Sequence, residues 1–358
     1  VDVLRGAALL MIFVDHMPGN PVSYFTLHNF GFADAAEIFV LLAGFASMMA
    51  YGRVFARDGA VAGLRRVGAR CLRIYVCHAF LLLFTLALVR VWTQQFHLEP
   101  TIVKPILDAG MPGLLRGLML NALPSFLNIL PLYVVLLAVF PLVYLAVRRS
   151  IWLALGGAVA VWLGANLDHR LTLPNWLDAN GWYFNPFTWQ LLFVIGAVLA
   201  VVMTRTGGSL PYRHWLAALC GGYLCFAFFQ TFEWTEWHLT DLRPLEMEPP
   251  DKSRLSPLRM LDILALFYLL FSAPALRRLA RHRFARAIEA CGKHSLEIFA
   301  LGCMLALVGR LLLRTWGHDW PLLAAVNVTG LATMCLTALW MERERVDRSI
   351  RPIPAAAE

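Results

Sequence analysis

Leu4–Pro21 reads LRGAALLMIFVDHMPGNP and Asn29–Phe45 reads NFGFADAAEIFVLLAGF, and these two runs decide which folds the chain can adopt. The first is an apolar helix with Arg5 at one end and His16 eleven residues later. The second opens on Asp34 and Glu37 and then turns wholly apolar. Ionisable groups on lipid-length segments are costly and usually functional. The rest of the chain agrees with a membrane setting: 59 % of residues are hydrophobic and 15 % charged, against roughly 45–50 % and 25 % in soluble domains. Uncharged runs recur at about the 20 residues that cross a bilayer. The expected fold is all-α, a polytopic bundle of about ten transmembrane helices forming a single transmembrane domain over 1–358.

Hydropathy puts helices near 4–17, 35–52, 71–91, 128–147, 151–167, 187–204, 213–231, 258–274, 294–313 and 320–340. The first run lacks a small-residue cleavage pattern, so it is expected to be a retained helix. The segment 100–121 reads as a short amphipathic helix on the outer surface. Connector charge gives the orientation. The second connector carries Arg53, Arg57, Arg65, Arg66 and Arg70, the fourth Arg148 and Arg149, and the sixth Arg205 and Arg213. The eighth carries Arg277, Arg278, Arg281, Arg283, Arg286 and Lys293, and the tail Arg343, Arg345, Arg348 and Arg351. The odd connectors are poorer in basic residues, so both termini are expected in the cytoplasm. The net charge of +8 is then a topology signal facing membrane lipids, not a nucleic-acid surface. The seven cysteines form no CxxC pair; they read as small apolar filler, and no metal site is expected.

The outer connectors hold Trp92, Trp176, Trp182, Trp234 and Trp237. An interfacial aromatic belt and stacking faces for carbohydrate are both open readings. Arg5 and His16 project from one helix face, roughly 16 Å apart along the axis. One elongated ligand with a charged inner end and a reactive outer tail can touch both, and acyl-coenzyme A has that shape. A neutral imidazole can deprotonate an acceptor hydroxyl and return the proton to a leaving thiolate. Asp15 points about 100° away around the helix. Asp34 and Glu37 read either as a capping box or as catalytic carboxylates, with Glu37 orienting the imidazole. Arg70 and Arg73, one turn apart, suit a phosphate clamp, with His78 further along the same helix. Lys293, His294 and Ser295 open the ninth helix, where they cap it or touch a coenzyme phosphate. No Walker A, GxGxxG, HExxH or GxSxG signature is present, which argues against nucleotide-driven pumping, nicotinamide chemistry and the common hydrolase designs.

The Arg5-x10-His16 spacing, FVLLAGF (Phe39–Phe45) and about ten spans resemble the acyltransferase-3 superfamily. A closer resemblance is to its OpgC branch, through Arg5–Pro21, Asn29–Gly44, LRIYVCH (Leu72–His78), LPLYVVLL (Leu130–Leu137), NPFTWQLLFVIGA (Asn185–Ala197) and KHSLEIFALG (Lys293–Gly302). The resemblance implies a bacterial inner-membrane enzyme that moves succinyl groups from cytoplasmic succinyl-CoA to osmoregulated periplasmic glucans. It implies a catalytic role for His16 and a supporting one for Arg5. Ala43 stands where the wider superfamily has serine. The expected site is then His16, Glu37 and Asp34 as catalytic groups, with Arg5, Arg70, Arg73, His78 and His294 toward the acyl-CoA co-substrate. Asp15, Asn185, Trp189 and Gln190 face the glucan acceptor; no metal and no permanently bound cofactor is expected. A transporter or flippase for an acylated or anionic solute is the competing reading, although no inverted repeat is visible. A non-catalytic partner of a glucan synthase is a third.

Overall fold

The computed structural model describes residues 1–101, 103–273 and 285–350. Arg277, Arg278, Arg281, Arg283, Arg351 and the side chain of Arg348, which contribute to the charge pattern, lie outside the described residues. In chain order the helices are α1 (Asp2–Asp15), α2 (Ala35–Arg57), α3 (Gly59–Gln95), α4 (Lys104–Ala109), α5 (Met111–Leu118), α6 (Ile129–Arg149) and α7 (Ile151–Leu167). They continue as α8 (Pro186–Arg205), α9 (His214–Thr231), α10 (Pro257–Ser272), α11 (Ala285–Lys293), α12 (Ser295–Trp316) and α13 (Trp320–Ile350). Among the described residues there is no strand, only one isolated bridge between Asn175 and Asp178.

Each apolar segment read from the sequence falls on one of these helices. Six of them, α2, α3, α6, α8, α12 and α13, are long and apolar enough to cross a membrane. The protein is therefore an all-α, multi-pass membrane protein. Two expectations change. The helices on either side of the second connector run further than the hydropathy bounds: α2 runs on to Arg57 and α3 starts at Gly59, with only Asp58 between them. The connector's Ala, Val, Leu and Arg residues are adequate helix formers, and charge alone does not end a helix. The predicted 100–121 helix is broken at Gly110 into α4 and α5, with Pro112 opening the second piece.

The chain divides into two compact units, Val1–Val22 with Arg278–Glu358, and Ser23–Arg277. In the larger unit α2 lies along α8, which also packs on α7 and α6; α3 packs on α6 and α2, and α9 pairs with α10. Trp189, Phe193, Phe140, Leu41 and Leu42 fill its core. The α2–α8 seam is a backbone contact. A Cβ at Gly44 would meet the Phe193 carbonyl oxygen at 1.9 Å, and one at Gly196 would meet that of Leu41 at 2.0 Å. Close approach through small residues is how helices associate where lipid gives no hydrophobic drive.

The smaller unit repeats the device. A Cβ at Gly6 would lie 1.8 Å from the Ile288 carbonyl oxygen, and one at Gly292 would lie 1.9 Å from that of Asp2. This presses α1 against α11, while α12 and α13 complete the packing around α1. Beyond the end of α1, Asn20 and Asn327 exchange two amide hydrogen bonds of 3.0 Å, and Asn20 also donates to the Val14 carbonyl at 3.1 Å. That lock sets the depth of the end of α1.

Substituting Gly44→Ala is expected to abolish monodisperse protein or lower its melting temperature sharply. Gly156→Ala, which meets nothing within 4 Å, should leave the melting temperature unchanged or raise it. Size-exclusion profiles and thermal melts in one detergent compare them; equal behaviour would refute the seam.

Candidate functional site

His16 terminates α1 at the C-cap, just before Pro18 and Gly19 stop the helix. Its ring is half-buried, and Nδ1 lies 2.5 Å from the Ile12 carbonyl oxygen. A carbonyl only accepts, so this contact assigns the proton to Nδ1 and leaves the basic lone pair on Nε2. Within its own unit the ring borders a crevice of about 10 Å³ walled by Leu9, Phe13, Phe299, Cys303 and Ala306. That is room for about one water, not for an acyl chain. Asp15, the last residue of α1, is half-buried beside it. Arg5, at the other end, donates at 3.4 Å to the Gly292 carbonyl and to Asp2 Oδ1. Its charge thus sits at the carbonyl end of α11, where a cation is favoured.

Asp34 and Glu37 form a complete capping box. Asp34 Oδ1 accepts from Ala36 N–H at 2.8 Å, and Glu37 Oε2 accepts from Asp34 N–H at 2.9 Å. The other Glu37 oxygen accepts from Arg259 Nε at 2.7 Å. Arg259 Nη2 also reaches Asp34 Oδ2 at 3.2 Å, and Lys252 Nζ pairs with the same oxygen. Glu37 is 0 % exposed and Arg259 9 %, so this charge pair is effectively out of water. Burial raises the Asp34 carboxyl, but the charges of Lys252 and Arg259 outweigh it and hold the group well below the usual range. Burial likewise lowers Lys252, but Asp34 and Glu37 more than restore it, and its pKa is raised.

Two of the residues expected to face the acceptor, Trp189 and Asn185, hold this network in place, and a third, Gln190, braces their helix. Trp189 is fully buried and donates from Nε1 to the carbonyls of Lys252 and Ser253 at 3.1 and 3.2 Å. Asn185 caps α8 through Phe187 N–H at 3.0 Å, and its own N–H donates to the Ser253 carbonyl at 3.2 Å. Gln190 bonds the Ala158 carbonyl at 2.7 Å, tying α8 to α7. The first two latch the 252–253 strap that carries Lys252 to Asp34. On α10, Asp262 Oδ2 accepts from Ala33 N–H at 2.9 Å.

Other expected residues stand elsewhere. His294 lies at the N-cap of α12 without a side-chain capping bond, which corrects the capping reading. It contacts Glu342 Oε2 at 3.1 Å, while Lys293 pairs with Glu289 and Glu342. Arg70 is half-buried and Arg73 exposed on α3. His78 is buried, and among the described residues neither ring nitrogen has a hydrogen-bond partner. Of the outer tryptophans, Trp182 and Trp234 belong to the core, whereas Trp176 and Trp237 are 40 % and 41 % exposed. Trp176 carries Arg116 over its ring at 4.4 Å.

Arg259, Lys252 and Asp262 were not singled out in the sequence. The available signal was Arg259 and Asp262 inside an apolar run, which marks function by the same rule that selected His16. Beside Arg259 the larger unit holds a cavity of about 780 Å³, bordered by His28, Glu233, Arg243, Glu246 and Glu248. Next to the lining residues Thr231 and Glu233, Phe232 meets Trp234 edge-on at 4.7 Å and stacks with Trp237 at 6.4 Å.

Across these elements, the family model described as OpgC protein matches residues 1–346. The chain belongs to the OpgC family. The match spans both the Arg5–His16 helix and the Glu37–Arg259 pair. Membership in the OpgC family supports acyltransferase activity of the glucan-succinylating type in general terms. No curated protein and no solved structure matches the chain.

Removing one partner of a buried pair strands the other charge, at a cost on the order of 3–5 kcal/mol. Arg259→Met should therefore lower the melting temperature strongly, and Glu37→Leu/Arg259→Met should recover much of the loss. A double variant no better than the single one would deny the coupling. The Asp34–Lys252 pair has a defined pH window. The lowered Asp34 contributes fully above its unfolded pKa of about 3.9 and is lost as pH falls through the folded value. The raised Lys252 contributes fully below about 10.4 and is lost as pH rises through its folded value. The melting difference between wild type and Lys252→Met should shrink as the pH falls below about 4 and as it rises above about 10. Thermal melts at both ends measure it, and a difference that persists unchanged at both would deny the pairing.

Proposed function

We propose that the protein transfers an acyl group from acyl-coenzyme A at the cytoplasmic face to a hydroxyl of a periplasmic glucan, with His16 as general base. OpgC family membership favours succinyl as the group and succinyl-CoA as the donor. The observation that carries the reading is the contact between His16 Nδ1 and the Ile12 carbonyl; because a carbonyl only accepts, the neutral ring keeps its lone pair on Nε2.

In the proposed step Nε2 takes the proton of the acceptor hydroxyl as its oxygen attacks the thioester carbonyl. The tetrahedral intermediate collapses, the C–S bond breaks, and the imidazolium returns the proton to the leaving thiolate. The products are an O-acyl ester and free coenzyme A, with no covalent protein intermediate. The carbonyl end of α1 lies at His16, and the partial negative charge there favours the transient cation.

The orientation proposed is ten spans with both termini in the cytoplasm, in the inner membrane of a bacterium. It puts Arg5 at the donor side and the His16 end of α1 at the acceptor side. Within the larger unit the cavity beside Arg259 is read as a carbohydrate-binding cavity. Its volume lies in the range of small-ligand sites, and carboxylates with neighbouring aromatic rings suit sugar hydroxyls and sugar faces. Glu37 and Asp34 then act as positioning groups that hold Arg259 at that cavity.

Purified protein given succinyl-CoA and glucan should release coenzyme A and yield esterified glucan detectable by mass spectrometry. His16→Ala should lower the rate by about 10²–10⁴-fold, the usual contribution of a general base. Transfer at the wild-type rate by His16→Ala would remove the residue from the mechanism, and solute uptake into vesicles without an acyl donor would favour transport.

A further inference from the structure

At the opposite end of α2 from Asp34 lies a cavity of about 520 Å³ that the catalytic reading leaves unused. Arg53 on α2, Arg148 on α6 and Arg205 on α8 all border it, while Met48, Met49 and Tyr144 supply apolar wall. Its border contains no carboxylate. None of the three guanidinium groups takes part in a salt bridge among the described residues; Arg148 stands over the Tyr144 ring at 5.8 Å. Every one of these residues lies in the Ser23–Arg277 unit.

All three arginines are exposed, and with no acid on this border an anion seated among them is attracted by three cations at once. Guanidinium forks match phosphate oxygens in pairs. The methionines offer a soft wall that adapts to an irregular apolar group. Positive-inside orientation puts this end of α2 at the cytoplasmic face.

We propose that the cavity bordered by Arg53, Arg148 and Arg205 is a binding site for a ligand that carries phosphate beside an apolar portion. Two sources share that chemistry: the phosphates of coenzyme A and the headgroup of an anionic phospholipid. The site is independent of the role given to His16, and it differs from the arginines expected to meet the donor on sequence grounds, Arg5, Arg70 and Arg73. Those arginines are grouped along single helices, whereas this cavity gathers one residue from each of three.

The test uses the full chain in a neutral detergent, with coenzyme A binding followed by calorimetric titration and retained phosphatidylglycerol counted by native mass spectrometry. The variants are Arg53→Gln/Arg148→Gln/Arg205→Gln, the cavity-filling Ala56→Trp, and Arg149→Gln as an exposed neighbour outside the cavity. Ala56 is itself exposed, so the tryptophan version keeps the measurement usable if the triple variant does not fold. The triple variant and Ala56→Trp should weaken one of the two ligands at least about tenfold, the loss of roughly one charge-assisted contact or more. Loss of coenzyme A identifies the donor's phosphates, and loss of phosphatidylglycerol identifies a lipid headgroup. Unchanged binding of both ligands, or an equal loss in Arg149→Gln, would overturn the site. A wild-type protein that transfers no acyl group leaves this readout intact, so the two readings fail separately.

Discussion

A carboxylate fully removed from water has to be matched on the spot, and the larger unit is arranged around meeting that demand for Glu37. One oxygen closes the first turn of its own helix and the other takes the Arg259 guanidinium from α10. Asp34 then needs a second cation, which Lys252 provides from a strap latched to the start of α8 by Trp189 and Asn185. The beginnings of α2, α8 and α10 are thereby joined through charge and backbone hydrogen bonds. Helix packing alone has no comparable directionality in lipid.

The smaller unit fixes α1 and, at its end, the His16 ring. The glycine contact between α1 and α11 and the paired amides of Asn20 and Asn327 hold α1 at both ends. The ring is then oriented by the carbonyl one turn back on its own helix.

The helices were legible because lipid-length apolar runs and Arg-rich connectors are one-dimensional signals. Asp-x-x-Glu announced the capping box at α2, and the structure adds the buried arginine that the same carboxylate serves. Residues brought together from distant helices could not be read this way. Arg259 is 222 positions from Glu37, and nothing in local periodicity joins them. The same holds for Trp189, whose sequence neighbourhood is apolar helix and whose partner is a strap some sixty positions on. Hydropathy marks where the apolar runs stop near 52 and resume near 71; it does not say that the Arg-rich residues between them stay helical apart from Asp58, because charge ends burial without ending a helix.

That unbroken α3 carries a geometric consequence. Its 37 residues make a rod about 55 Å long, while the hydrocarbon of a bilayer is about 30 Å thick. Close to half of the rod must therefore lean steeply or stand clear of the lipid tails, with Arg65, Arg66 and Arg70 spaced along the protruding part. Such a graduated post registers the protein against the headgroup layer, so a thicker or thinner bilayer would be felt first as a change in its tilt.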